Sequence, residues 1–161
     1  MKTAVICYSL SGNTIRAAEQ TAEELGADLI RLEPVKAYPV SGFMKYFRGG
    51  RDATLHLSCP LKPYDFSGDY DCVIFAFPVW AACVTPPLRT FIAENMDKLR
   101  TMKQAAVVCQ SGSGAEKALA ELEKQTGVKL SGRLVLIDPL EKPDPENNTK
   151  IHAFCVSLKG E

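Results

Sequence analysis

The segment Ser9-Leu10-Ser11-Gly12-Asn13-Thr14 gathers three hydroxyls, one carboxamide and one glycine into six residues. Such side chains donate hydrogen bonds to an anion without carrying charge, and a glycine lets the backbone come close to what is bound. Before it runs Thr3-Ala4-Val5-Ile6-Cys7-Tyr8, short, apolar and rich in strand formers. After it, Ile15, Ala18, Ala22 and Leu25 recur at helical spacing. A strand that passes through a hydroxyl-rich turn into a helix aims unbonded N–H groups and a positive dipole end at one spot. That spot suits a phosphate. The loop contains no Lys or Arg, so it would hold the anion with neutral donors alone.

Spacing separates this loop from other phosphate-binding turns. The P-loop needs Gly-Lys-Ser/Thr, which is missing, and the dinucleotide fingerprint needs three glycines where only Gly12 stands. A low-molecular-weight tyrosine phosphatase would carry a Cys here with an Arg six residues on. Cys7 is present, but Asn13 occupies the arginine position.

Two further segments have unusual composition. Pro78-Val79-Trp80-Ala81 holds the only tryptophan of the chain. A large aromatic beyond a strand end is a lid over the core or a stacking surface for a flat ring, and a neighbouring phosphate loop favours the ring. Ser111-Gly112-Ser113-Gly114 has almost no side-chain bulk, so a polar ring edge could meet its backbone groups directly.

Other chemistry is sparse. His56 and His152 are the only histidines, and no catalytic triad can be assembled around either. Cys83 lies in the tryptophan loop, where packing is the expected role of a thiol. The six cysteines (Cys7, Cys59, Cys72, Cys83, Cys109 and Cys155) form no CxxC pair and no metal-ligand spacing.

Elements that position these loops follow from periodicity. Ala27–Glu33 reads as a second strand after Gly26, the C-cap of the first helix. Residues 34–71, with four prolines and the pair Gly49-Gly50, read as a long irregular connection. It contains one short helix that Ser41 could cap and that runs to about Arg48, and Lys36, Lys45, Arg48 and Arg51 make its first half basic. Cys72–Phe77 is a continuous apolar run, as expected of a strand buried on both faces. Thr85 and Pro86 open a helix carrying Leu88, Phe91 and Ile92. Ala105–Cys109 and Leu134–Ile137 are the fourth and fifth strands, each followed by a helix. Asn147-Asn148-Thr149 reads as the cap of the last one. Five strands alternating with helices predict one domain over residues 1–161: a three-layer α/β sandwich with a parallel sheet. In such sheets ligands bind beyond the carboxyl ends of the strands.

Nineteen basic residues balance nineteen acidic ones, so charge makes no case for nucleic acid or an anionic membrane as partner. No run approaches a membrane span, and nothing marks secretion, so a cytoplasmic protein with reduced thiols is expected.

Phosphate, flat ring and polar ring edge together describe flavin mononucleotide (FMN), and at this point the chain resembles the flavodoxin-like family from end to end. The Ser9–Thr14 loop, the Pro78-x-Trp80 loop leading through Pro86 to Phe91, and the Ser111–Gly114 loop carry the likeness. The resemblance implies a doubly wound sheet of order 2-1-3-4-5 and non-covalent FMN. Ser9, Leu10, Ser11, Gly12, Asn13 and Thr14 would hold its phosphate. Pro78, Val79, Trp80 and Ala81 would pack on the isoalloxazine, and Ser111, Gly112 and Gly114 would line the pyrimidine side. Electron transfer between redox partner proteins is the implied role, and an oxidoreductase using NAD(P)H and a quinone or flavin is the alternative.

Three features depart from that pattern. The third loop has no second aromatic for the ring, whose other face Phe43, Tyr46 or Phe47 could cover. The chain is neutral where flavodoxins are usually acidic. Trp80-Ala81-Ala82 has no glycine for the peptide flip of many flavodoxins, and a Cβ there resists positive φ. In the reductase alternative, Lys45, Arg48 or Arg51 would contact nicotinamide phosphates.

Overall fold

A computed structural model describes residues 1–41 and 43–160, with the side chains of residues 43–46 outside that description. Five parallel strands, β1 (Thr3–Cys7), β2 (Asp28–Arg31), β3 (Cys72–Pro78), β4 (Lys103–Gln110) and β5 (Gly132–Ile137), lie in the order β2-β1-β3-β4-β5. Ile6 pairs with Phe75 and Val107 with Leu134, so the strand ends line up along one carboxyl edge. The expected α/β doubly wound sheet is the one observed.

Alternation along the central strands divides the core in two. Ala4, Ile6, Val73, Phe75 and Phe77 point to one face, where Leu88 and Phe91 of α3 (Pro86–Glu94) and Leu119 of α5 (Ala115–Thr126) meet them. Val5, Cys7, Ile74, Ala76 and Val107 point to the other. There Ala17 and Ala18 of α1 (Asn13–Leu25) and Ile151 and Phe154 of α6 (Glu146–Lys159) close the layer. Strands buried on both faces have no polar side to show, which is why Cys72–Phe77 reads as unbroken apolar sequence. All six cysteines are thiols, five of them buried in this core as small apolar groups.

Residues 34–71 are more regular than expected. A helix, α2 (Phe43–Thr54), continues through Gly49-Gly50 instead of stopping at Arg48. The glycines are not a helix stop: a Cβ on Gly49 would stand 3.2 Å from Cε3 and Cζ3 of Trp80, so a small residue is needed where the indole crosses the helix. A one-turn helix, α4 (Met96–Leu99), follows α3. The Asn147-Asn148-Thr149 triplet lies inside α6, not at its cap. Pro145 holds the N-cap position, and the Asp144 carboxylate accepts the Glu146 N–H at 2.9 Å. Among the described residues no helix is long and apolar enough to cross a membrane.

Candidate functional site

A cavity of about 440 Å³ opens at the carboxyl edge, within the size range of small-molecule and cofactor sites. The three loops singled out by sequence converge on it. Ser9, Leu10, Ser11, Asn13 and Thr14 line one end, Pro78, Val79, Trp80 and Ala81 a second side, and Ser111 and Gly112 a third. Gly12 and Gly114 stand behind this lining. A Cβ on Gly12, at φ 99°, would lie 2.9 Å from Cδ2 of Leu140. One on Gly114, at φ 103°, would lie 2.8 Å from the Ala82 Cβ. Both glycines therefore let neighbouring loops close over the site.

At the first loop, Arg16 N–H makes the bond to the Gly12 carbonyl that begins α1. The N–H groups of Asn13, Thr14 and Ile15 thus have no acceptor within the helix. The Ser9 hydroxyl accepts the Gly12 N–H at 3.3 Å, which tightens the turn. Thr14 is 1 % exposed, and among the described residues its hydroxyl meets no nitrogen or oxygen partner, only the thiol of Cys109, a weak acceptor. Leaving such a group unpaired costs about 1–3 kcal/mol, so this one is a donor in want of a stronger acceptor. Asn13 is used differently. Its carboxamide oxygen accepts the N–H groups of Leu140 (2.8 Å) and Glu141 (3.3 Å), and its nitrogen donates to Ser11 Oγ at 3.4 Å. Asn13 ties the segment after β5 to the loop.

Trp80 is both lid and lining. Its indole meets Tyr8 edge-on, centroids 5.5 Å apart, and Tyr38 at 5.1 Å, lies on Gly49, and still borders the cavity. Next to it the backbone does what alanine disfavours. Ala81 and Ala82 have φ 51° and 60°, and the Cys83 N–H closes the turn onto the Trp80 carbonyl at 2.9 Å. Two successive left-handed residues are the signature of a type I′ turn, at a cost of about 1–2 kcal/mol for each residue with a Cβ. The resistance of a Cβ to positive φ is thus overcome at both alanines. Burial raises the Cys83 thiol above its ordinary pKa, so it is neutral and engaged as a donor to the Ala81 carbonyl at 3.3 Å.

Sequence reasoning missed Gly50, Cys109, Gln110, Ser113, Asp138 and Glu141, which also line the cavity. Asp138 follows β5 with φ 39°; its carboxylate accepts the Ser111 hydroxyl at 2.8 Å and pairs with Lys142 at 3.1 Å. The carboxyl-edge rule that picked out the loops after strands one, three and four applies equally after strand five, and would have found it. Among the described residues no Lys or Arg lines the cavity. Two cations of the insertion, Arg48 and Arg51, pair with Asp52. Arg51 Nε and Nη2 donate to Asp52 Oδ1 at 2.9 and 2.7 Å, and the Arg48 guanidinium lies 4.9 Å from the Tyr38 ring centroid. The Phe43, Lys45 and Tyr46 side chains lie outside the described residues; Phe47 is half exposed.

Solved structures with this architecture supply the comparison. A candidate flavoprotein from Bacteroides eggerthii superimposes with a TM-score of 0.78 at 20 % identity, covering 98 % of each chain. The fold is flavodoxin-like. A flavoprotein from Lactobacillus acidophilus, solved in complex with FMN, gives a TM-score of 0.72 at 18 % identity over 87 % of this chain and 95 % of that one. Two-electron reduced flavodoxin of Megasphaera elsdenii gives 0.56 at 11 % identity, over 96 % and 98 %. No family model and no curated protein matches the sequence.

Proposed function

We propose that this protein is an FMN-binding redox carrier of flavodoxin type, passing electrons between partner proteins. The observation that carries the reading is the buried Thr14 hydroxyl at a helix N-terminus, without a nitrogen or oxygen partner among the described residues, at one end of a cavity that Trp80 borders. The flavoprotein from L. acidophilus, of the same fold, was solved with FMN bound, which supports the same ligand here.

The residues present fit that group. Hydroxyls of Ser9, Ser11 and Thr14, with the free N–H groups opening α1, would hold the phosphate as neutral donors. Pro78, Val79, Trp80 and Ala81 would orient the ring and keep water from one side. Ser111, Gly112 and Ser113 would meet its polar edge. Gly12 and Gly114 would act indirectly, through the close approach of Leu140 and Ala82. When bound, FMN supplies the capacity to take up and release electrons one or two at a time; the chain supplies binding, orientation and field. The pairing of Arg48 and Arg51 with Asp52 favours the carrier over an NAD(P)H-dependent reductase, because both guanidiniums already have a carboxylate partner.

The test is anaerobic. FMN-loaded protein is mixed with NADPH or NADH, then with dithionite, while flavin absorbance is followed. A flavin that stays oxidised with both nucleotides and bleaches with dithionite is expected. Rapid bleaching by either nucleotide would overturn the carrier reading in favour of a reductase.

A further inference from the structure

Just after the strained turn, Val84 is fully buried and both of its main-chain polar groups are taken by side chains. Its N–H donates to Glu121 Oε2 at 2.9 Å, and its carbonyl accepts from Arg89 Nε at 3.1 Å. Arg89 and Glu121 also form an ion pair, with side chains only 9 % and 16 % exposed. The same carboxylate receives His56 Nδ1 at 3.0 Å and Gln125 Nε2 at 3.0 Å. The turn that follows α2, the first turns of α3 and the middle of α5 thus meet at one carboxylate, next to the Trp80–Cys83 turn. Helix α5 touches the turn a second time at its N-cap, where Ala82 fills the space left by Gly114.

A turn of two left-handed alanines does not hold itself, and strain of this kind persists only where the surroundings over-determine it. We infer that Glu121 is a positioning residue for the cavity: through Val84 it fixes the Ala81–Ala82 turn, and with it the indole of Trp80, in the form that receives a flat ring. This rests on the flavin reading for its ligand but not for its geometry. Glu121 itself does not line the cavity, so any effect on a ligand passes through the turn.

The experiment uses Trp80 as reporter, since it is the only tryptophan in the chain. Emission of the unliganded protein is recorded for wild type and Glu121→Gln, followed by affinities for FMN and for inorganic phosphate. Glu121→Gln is expected to shift Trp80 emission to the red and weaken FMN about tenfold, with phosphate affinity within about twofold of wild type. Adding Ala81→Gly, which removes the left-handed penalty, should recover part of the FMN affinity. Unchanged emission, equal losses of FMN and phosphate, or no recovery with glycine would each overturn the assignment. Should Glu121→Gln not fold, Arg89→Met with Glu121→Leu leaves no buried charge unpaired and carries the same expectations. If the wild type binds no FMN, the flavin reading fails, and the emission shift alone decides the role of Glu121.

Discussion

Trp80 rests on Gly49, its Cε3 and Cζ3 only 3.2 Å from where a Cβ would stand. Beside it, Gly50 has open space at the same position. Alanine in a helix is worth about 0.5–1 kcal/mol over glycine. Gly50→Ala should therefore raise unfolding stability by about that amount. Gly49→Ala should gain little or nothing, because Tyr8 and Tyr38 hold the indole it would push, and should shift Trp80 emission. Urea titrations of the two variants check this; equal stabilisation would mean the indole is free to move.

The same contact marks the limit of what is legible in the sequence. Strands one and three and helix α1 follow from local pattern, because burial on two faces or on one stripe writes itself into hydrophobic periodicity. Gly49-Gly50 reads locally as a break, whereas what Gly49 answers to is the indole of Trp80, far away in sequence. The Ala81–Ala82 turn is equally hidden, since alanine carries no signal for positive φ and the clamp on Val84 comes from residues 89 and 121. Of the site, the three loops were legible from composition. The carboxylate of Asp138 was not sought, and the diversion of Asn13 to the segment after β5 depends on a long-range contact.

Thr14→Val separates binding from folding. It removes a buried hydroxyl whose one polar neighbour in the unliganded chain is the weakly bonding Cys109 thiol, so unfolding stability should hold or rise by about 1 kcal/mol. FMN affinity should fall by about 1.5–3 kcal/mol, since a donor to a dianion is lost. Calorimetry on the unliganded and loaded forms gives both numbers; a stability loss without an affinity loss would mean the hydroxyl serves the fold.

Trp80→Ala should weaken FMN far more than inorganic phosphate, because the indole can reach a ring but not the helix N-terminus. A double truncation with Tyr38→Ala should lose little more for FMN than Trp80→Ala alone, since Tyr38 acts on the indole by edge contact. Isothermal titration of both ligands against each variant tests this, and equal losses for the two ligands would contradict stacking.

Alkaline pH should loosen the fold. Burial pushes the thiols of Cys72 and Cys155 up to about 11 and that of Cys109 up to about 12, from an ordinary value of 9.0. A group whose folded pKa is raised holds its proton more tightly when folded. Its stabilisation is complete below about pH 9 and is lost as pH climbs through 9 toward 11–12. The urea midpoint should be flat from pH 7 to 8.5 and fall steadily from about pH 9. Cys72→Ala should flatten that fall, and a midpoint level to pH 11 would contradict the burial seen for these thiols.

FMN and riboflavin titrated into the unliganded protein, with Trp80 fluorescence as the signal, test the central claim most directly. A flavin ring over the indole, with its phosphate at Ser9–Thr14, predicts saturable one-to-one quenching by FMN. Riboflavin, which lacks the phosphate, should bind at least about tenfold more weakly. Quenching by neither flavin, or equal affinity for the two, would contradict the site.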